Sequence, residues 1–196
     1  MAIELRNCVF IHIPKCGGRW VKQMLISHVK DARYIGDPVY DSHNSPDTDK
    51  PVFCVIREPA LFAHSLWHHR AVKKNNKYGH KFNWQNYIRL EKECADSDYT
   101  KFMEKVSQNH NAVWDYYKFY VAKYPKVLFA KQENLAEDLV RILNRFGEEF
   151  NSSSIFDASL KRIGIGKYDS KYPLDDEIRV KINKANMKLS KAFGYI

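Results

Sequence analysis

Apolar residues in this chain form short continuous runs separated by longer periodic stretches. Cys8–Ile13, Val52–Ile56 and Val127–Ala130 read as strands, and Val52–Ile56 is a continuous apolar, β-branched run, as expected for a strand buried on both faces. Between them the apolar positions recur at helical spacing. This predicts helices over Gly18–Val29, from Pro59 to about Lys73, and around Trp84–Glu93, Thr100–Val106 and Ala112–Val121. A further helix is predicted from Leu135 through Leu139, Ile142, Leu143 and Phe146. Ile178, Ile182, Ala185, Leu189 and Phe193 predict one final amphipathic helix. Pro59 suits a first helical turn. Asn134, with Glu137 three residues on, resembles a capping box. Asp31–Lys50 is polar and rich in Asp, Ser and Pro, so it reads as a loop, and Asn151–Tyr172 reads as irregular. Alternating strands and helices imply an α/β fold with three α/β/α layers and a central parallel sheet. A chain of 196 residues implies one domain, 1–196, with room for a small helical lobe.

The candidate chemistry starts where the first strand meets the first helix. The run Cys8–Ile13 ends in Pro14-Lys15, passes Cys16, Gly17 and Gly18, and enters the helix at Arg19-Trp20. A helix N-terminus presents unpaired N–H groups and a partial positive charge, and glycines let backbone approach an oxyanion closely. Lys15 adds a full charge. The arrangement suits phosphate or sulfate; a plain turn with a solvent lysine is the other reading. In nucleoside triphosphatases the lysine follows the glycines, and a Ser or Thr after it holds Mg²⁺. Here the lysine precedes them and no hydroxyl follows, which points away from ATP hydrolysis. Arg57 stands at the end of the second strand, and Ser65 falls about two turns into the next helix. Ligands of open α/β sheets bind beyond the carboxyl ends of the strands, so Lys15 and Arg57 both belong to the expected ligand edge.

Ile13-Pro14-Lys15-Cys16-Gly17-Gly18 resembles the 5′-phosphosulfate loop of the sulfotransferases that use 3′-phosphoadenosine 5′-phosphosulfate (PAPS). Arg57 with Ser65 resembles their 3′-phosphate motif at the matching spacing, and Ile56-Arg57-Glu58-Pro59 is close to the carbohydrate-type branch. Val127–Leu135 looks like the family's late strand and its Glu-Asn-Leu turn. Phe193-Gly194-Tyr195 resembles the close of many members. The resemblance implies a P-loop-like fold and transfer of a sulfuryl group from PAPS to an acceptor hydroxyl or amine, a glycan being one candidate. It implies that Lys15, Cys16, Gly17, Gly18, Arg19 and Trp20 bind the cofactor with Arg57 and Ser65, with no metal. Arg19 stands where the family usually has Thr or Ser, and Cys16 replaces another small polar residue. Trp20 is read either as an adenine-stacking residue or as a core residue. The basic stretch Ser159–Tyr168 loosely resembles the loop that closes over the 3′-phosphate, naming Arg162 and Lys167; a solvated basic loop is the other reading.

Lys15 is then expected to neutralise the leaving oxygen, and a base must take the acceptor proton. His43, in Asp41–Pro46, resembles the His-x-x-Pro neighbourhood that carries the base in several sulfotransferases. His68, His69 and Glu58 are alternatives, Glu58 being read rather as orienting Arg57 or capping the helix. Alternation places His12 inside the first strand, and helix geometry turns His64 away from the site. A net charge of +9 suits an anionic cofactor and an acidic acceptor, but equally nucleic acid. Hence a basic nucleic-acid- or nucleotide-binding protein is the alternative function. No nucleic-acid motif is present, and Tyr116, Tyr117, Phe119 and Tyr120 have a spacing that suits helix packing. No run approaches the roughly 18 apolar residues of a membrane span, and the first residues lack a signal-peptide pattern. This implies a cytoplasmic enzyme or an excised catalytic domain. Cys8, Cys16, Cys54 and Cys94 show neither CxxC nor zinc spacing, and Cys8 and Cys54 read as small hydrophobes.

Overall fold

The computed structural model describes residues 2–36, 45–72, 88–159 and 171–196. In chain order its elements are β1 (Ala2–Glu4), β2 (Val9–Ile11), α1 (Gly18–His28), β3 (Arg33–Ile35), β4 (Val52–Ile56) and α2 (Pro59–Trp67). They continue with α3 (Arg89–Cys94), α4 (Tyr99–Gln108), α5 (Ala112–Val121), β5 (Val127–Lys131) and α6 (Leu135–Arg145). The last are α7 (Ser152–Ser159), α8 (Asp176–Ala185) and α9 (Met187–Phe193). A π-helical turn, His68–Val72, extends α2, and a 3₁₀ turn, Gln132–Asn134, leads into α6. The chain forms two compact units, Met1–Arg57 with Tyr120–Ile165 and Glu58–Phe119 with Gly166–Ile196. Among the described residues no helix is long and apolar enough to cross a membrane.

The first unit is α/β. Its five strands lie in the order β3-β1-β2-β4-β5. The sheet is mixed, which corrects the expected parallel sheet: β2, β4 and β5 run parallel, while β1 pairs antiparallel with both β2 and β3. All residues of β2 and β4 are buried, as continuous apolar strands require, and Phe10 packs on Phe53 at 5.2 Å between centroids. The three parallel strands bring their carboxyl ends, and the turns that follow them, to one edge.

Several local expectations change. Asp31–Lys50 contains β3, whose Arg33 anchors to the neighbouring strand through two bonds to Glu4 of 2.9 and 2.7 Å. Asn151–Tyr172 contains α7, started by Asn151 Oδ1 accepting from the Ser154 N–H. The capping box at Asn134 does not form: no side chain caps α6, and the Asp138 carboxylate instead accepts the Lys131 N–H at 2.7 Å.

The second unit is helical, with α8 packed against α2 and α4. Phe62, Tyr116 and Tyr117 interlock at 4.9–5.1 Å, so the tyrosines of α5 are packing residues, while Phe119 is exposed. The expected final helix is two helices. Asn186 interrupts it because its buried side chain bonds outside the helix: Oδ1 accepts the Val113 N–H at 2.9 Å, filling a vacant donor at the start of α5.

Candidate functional site

The turn from β2 into α1 is built by alternate burial. Ile13, Pro14 and Cys16 are in the core, and Lys15 and Gly17 are partly exposed between and beyond them. Lys15 and Gly17 both take left-handed backbone, at φ 66° and 83°. For glycine this is free of a Cβ clash, but for a lysine it costs on the order of 1–3 kcal/mol and persists only where neighbours over-determine it. The buried residues on either side of Lys15 supply that constraint. Gly17 caps α1, its carbonyl accepting from Trp20 and Val21 at 3.0 and 3.4 Å. No side chain caps the helix and no acid stands in its first turn. The positive end of the helix dipole is therefore uncompensated by the helix's own side chains.

Charge accumulates around that end. Arg19 is exposed, and Lys22 lies one turn further along α1. Burial, together with the Arg19 charge, pulls the Lys22 ammonium below its ordinary pKa. An anion at this end of α1 relieves that repulsion. The space beside each glycine is taken by neighbouring side chains. A Cβ on Gly17 would stand 3.2 Å from Gln132 Cγ and from Leu135 Cδ2. A Cβ on Gly18 would stand 2.0 Å from His12 Cδ2, so the His12 ring occupies the space a side chain would need.

Because β2, β4 and β5 are parallel, the Lys15 turn, Arg57 and Gln132 share the carboxyl edge of the sheet within the first unit. Gln132 Oε1 is buried with no hydrogen-bond partner among the described residues. Cys16 is fully buried beneath the turn, and burial together with Cys16 pushes the Cys54 thiol up. Trp20 is 7% exposed, a core position. Ser65 lies on α2 in the second unit and is buried. His43, Arg162 and Lys167 lie outside the described residues, so the structure describes no base at His43.

The alternatives for the base are placed in the second unit. The Glu58 side chain makes no cap bond to α2. Its carboxylate takes a two-pronged ion pair from Arg179, at 2.6 and 2.7 Å, and a 2.7 Å bond from Asn183, whose own Oδ1 accepts the Ala60 N–H. A cavity of about 450 Å³ lies beside this pair, lined also by Val180, Gly194 and Tyr195. His64 Nδ1 meets the Tyr99 hydroxyl at 2.8 Å, and His68 packs edge-on against His64 at 4.5 Å. Trp67, Tyr99 and Tyr172 complete this cluster, and burial with the Asp175 charge pushes the Tyr99 phenol up to about 12.

The sequence did not single out Lys22 or Gln132, and it placed His12 only inside the first strand. His12 directly follows β2, where strand alternation no longer applies, and its contact with Gly18 has a weak signal in the paired glycines. Nothing local marks Gln132. Among the described residues no group of three His, Cys, Asp or Glu side chains is spaced to hold a metal. No family model, curated protein or solved structure matches the chain.

Proposed function

We propose that the protein is a sulfotransferase that moves a sulfuryl group from PAPS to an acceptor hydroxyl or amine. The reading takes the β2–α1 unit as a P-loop-like anion site. The observation that carries it is the turn itself: a left-handed lysine and a left-handed glycine leading into a helix that no side chain caps and that has no acid in its first turn. Arg57 on the same sheet edge supports it, since a phosphosulfate nucleotide carries two separated anionic groups.

In this reading the N–H groups at the start of α1, with Arg19 and Lys22, hold the 5′-phosphosulfate. Arg57 holds the 3′-phosphate. Lys15 faces the bridging oxygen. The acceptor oxygen or nitrogen bonds to sulfur as the sulfur–oxygen bond to the phosphate breaks, and the electron pair leaves with the phosphate oxygen that Lys15 neutralises. The acceptor's proton goes to a general base, for which His43 is the assignment from the motif. The acceptor class that suits the net charge of +9 is an acidic glycan.

The test is release of adenosine 3′,5′-bisphosphate from PAPS in the presence of acidic glycans, phenols and tyrosyl peptides, without added metal. Acceptor-dependent release that Lys15→Ala abolishes is expected. Donor turnover unaffected by Lys15→Ala, or none with any acceptor, overturns the reading.

A further inference from the structure

The exposed face of α8 and α9 carries a charge pattern that the proposed transfer does not use. From Lys181 to Ile196 the chain has four lysines and no acid. Ile182, Asn183, Ala185, Asn186, Leu189 and Ser190 are buried, so the two helices turn one continuous face inward. Lys181, Lys184, Lys188 and Lys191 all lie on the opposite, exposed face at helical spacing. Elsewhere among the described residues about half of the cations meet acids, as in Lys30–Glu149, Lys50–Glu4, Arg89–Asp115 and Lys123–Asp47. On this face only Lys181 does, through Glu177. Lys184, Lys188 and Lys191 make no ion pair with any described residue.

Large apolar side chains border the same stripe. Val180 is 49% exposed and Met187 38%. On the helical wheel Val180 and Met187 flank the lysines on one side. A hydrated polyanion gains nothing from such neighbours. An acidic bilayer surface uses both: lysines sit among anionic headgroups while adjoining apolar side chains enter the acyl boundary.

We infer that the α8–α9 face docks the protein on membranes rich in anionic phospholipid. This is independent of the transferase reading and can hold or fail without it. The test is co-sedimentation of the full chain with vesicles of phosphatidylcholine alone and of phosphatidylcholine mixed with phosphatidylserine. Binding to the mixed vesicles, absent on phosphatidylcholine and weakened by salt, is expected. Each of Lys184→Gln, Lys188→Gln and Lys191→Gln should weaken binding about fivefold, and the triple variant about a hundredfold. Met187→Ser should weaken it about tenfold, the effect of keeping one apolar side chain out of the boundary. All four positions are exposed, and unchanged circular dichroism will verify the fold. Equal binding to both vesicle types, or a triple variant that binds like the parent, overturns the inference. Heparin binding as tight as vesicle binding, with Met187→Ser without effect on either, also overturns it in favour of a linear polyanion.

Discussion

Replacing Gly18 by alanine tests the most specific contact of the turn. The new Cβ would lie 2.0, 2.5 and 3.0 Å from Cδ2, Nε2 and Cγ of His12, far inside van der Waals contact. Three ring atoms are involved, so the whole imidazole must move. It packs roughly parallel to Phe10, 6.4 Å away at 25°, inside a buried strand end. Overpacking of this kind costs about 1–3 kcal/mol. The backbone contributes no opposing strain, because Gly18, unlike Gly17, is not in the left-handed region. With the ring removed, Gly→Ala at a compatible position stabilises by about 0.4–1 kcal/mol. The substitution should therefore destabilise the parent by about 2 kcal/mol, lowering Tm by about 4–8 °C for a chain of this size. In a His12→Ala background it should be neutral or stabilising. Thermal and urea unfolding of the four proteins give the coupling directly. An equal effect of Gly18→Ala in both backgrounds would refute the proposed contact and the shape of the turn built on it.

Lys15→Ala should lower transfer about 10²–10³-fold, as removal of one electrostatic donor does, with no loss of Tm since a left-handed lysine is not there for packing. Arg57→Ala should weaken binding of adenosine 3′,5′-bisphosphate far more than of adenosine 5′-phosphate; equal weakening measured calorimetrically would remove Arg57 from the 3′-phosphate. Arg179→Ala removes the two-pronged partner of the buried Glu58 carboxylate and should cost about 1–3 kcal/mol in urea unfolding, whereas an unchanged midpoint would show the pair to be dispensable. The Tyr99 phenol is raised to about 12, above its ordinary value of 10.0, so its contribution to stability is complete below pH 10 and is lost as pH rises towards 12. Tyr99→Phe should flatten that alkaline decline, and an unchanged slope of stability against pH would show that Tyr99 titrates as an ordinary surface phenol.

Much of the sheet core and of the charged edge was legible because it is local. Val52–Ile56 is an apolar run fully buried as a central strand, whereas the run Val127–Ala130 belongs to the half-buried last strand of the sheet, and parallel strands place Lys15 and Arg57 on one edge. The antiparallel margin was not legible. β1 and β3 are three residues each, and two of the three residues of β3 are exposed, too short and too polar for alternation to register. The break between α8 and α9 depends on Asn186 reaching a backbone donor 73 residues away, and the Glu58–Arg179 pair spans 121 residues. Helical periodicity continues across the first, and neighbouring residues explain Glu58 well enough to mislead. The ring of His12 over Gly18 is a contact of the folded turn, visible only when the strand end is in place.

The central claim is that the β2–α1 turn and Arg57 together bind a nucleotide with a phosphate or phosphosulfate at the 5′ position and a phosphate at 3′. Titration calorimetry of the full chain with adenosine 3′,5′-bisphosphate in metal-free buffer measures it most directly. The expected result is saturable one-to-one binding that needs no metal and is lost in Lys15→Ala with the fold intact. No binding, binding only when Mg²⁺ is added, or undiminished binding in Lys15→Ala would contradict it.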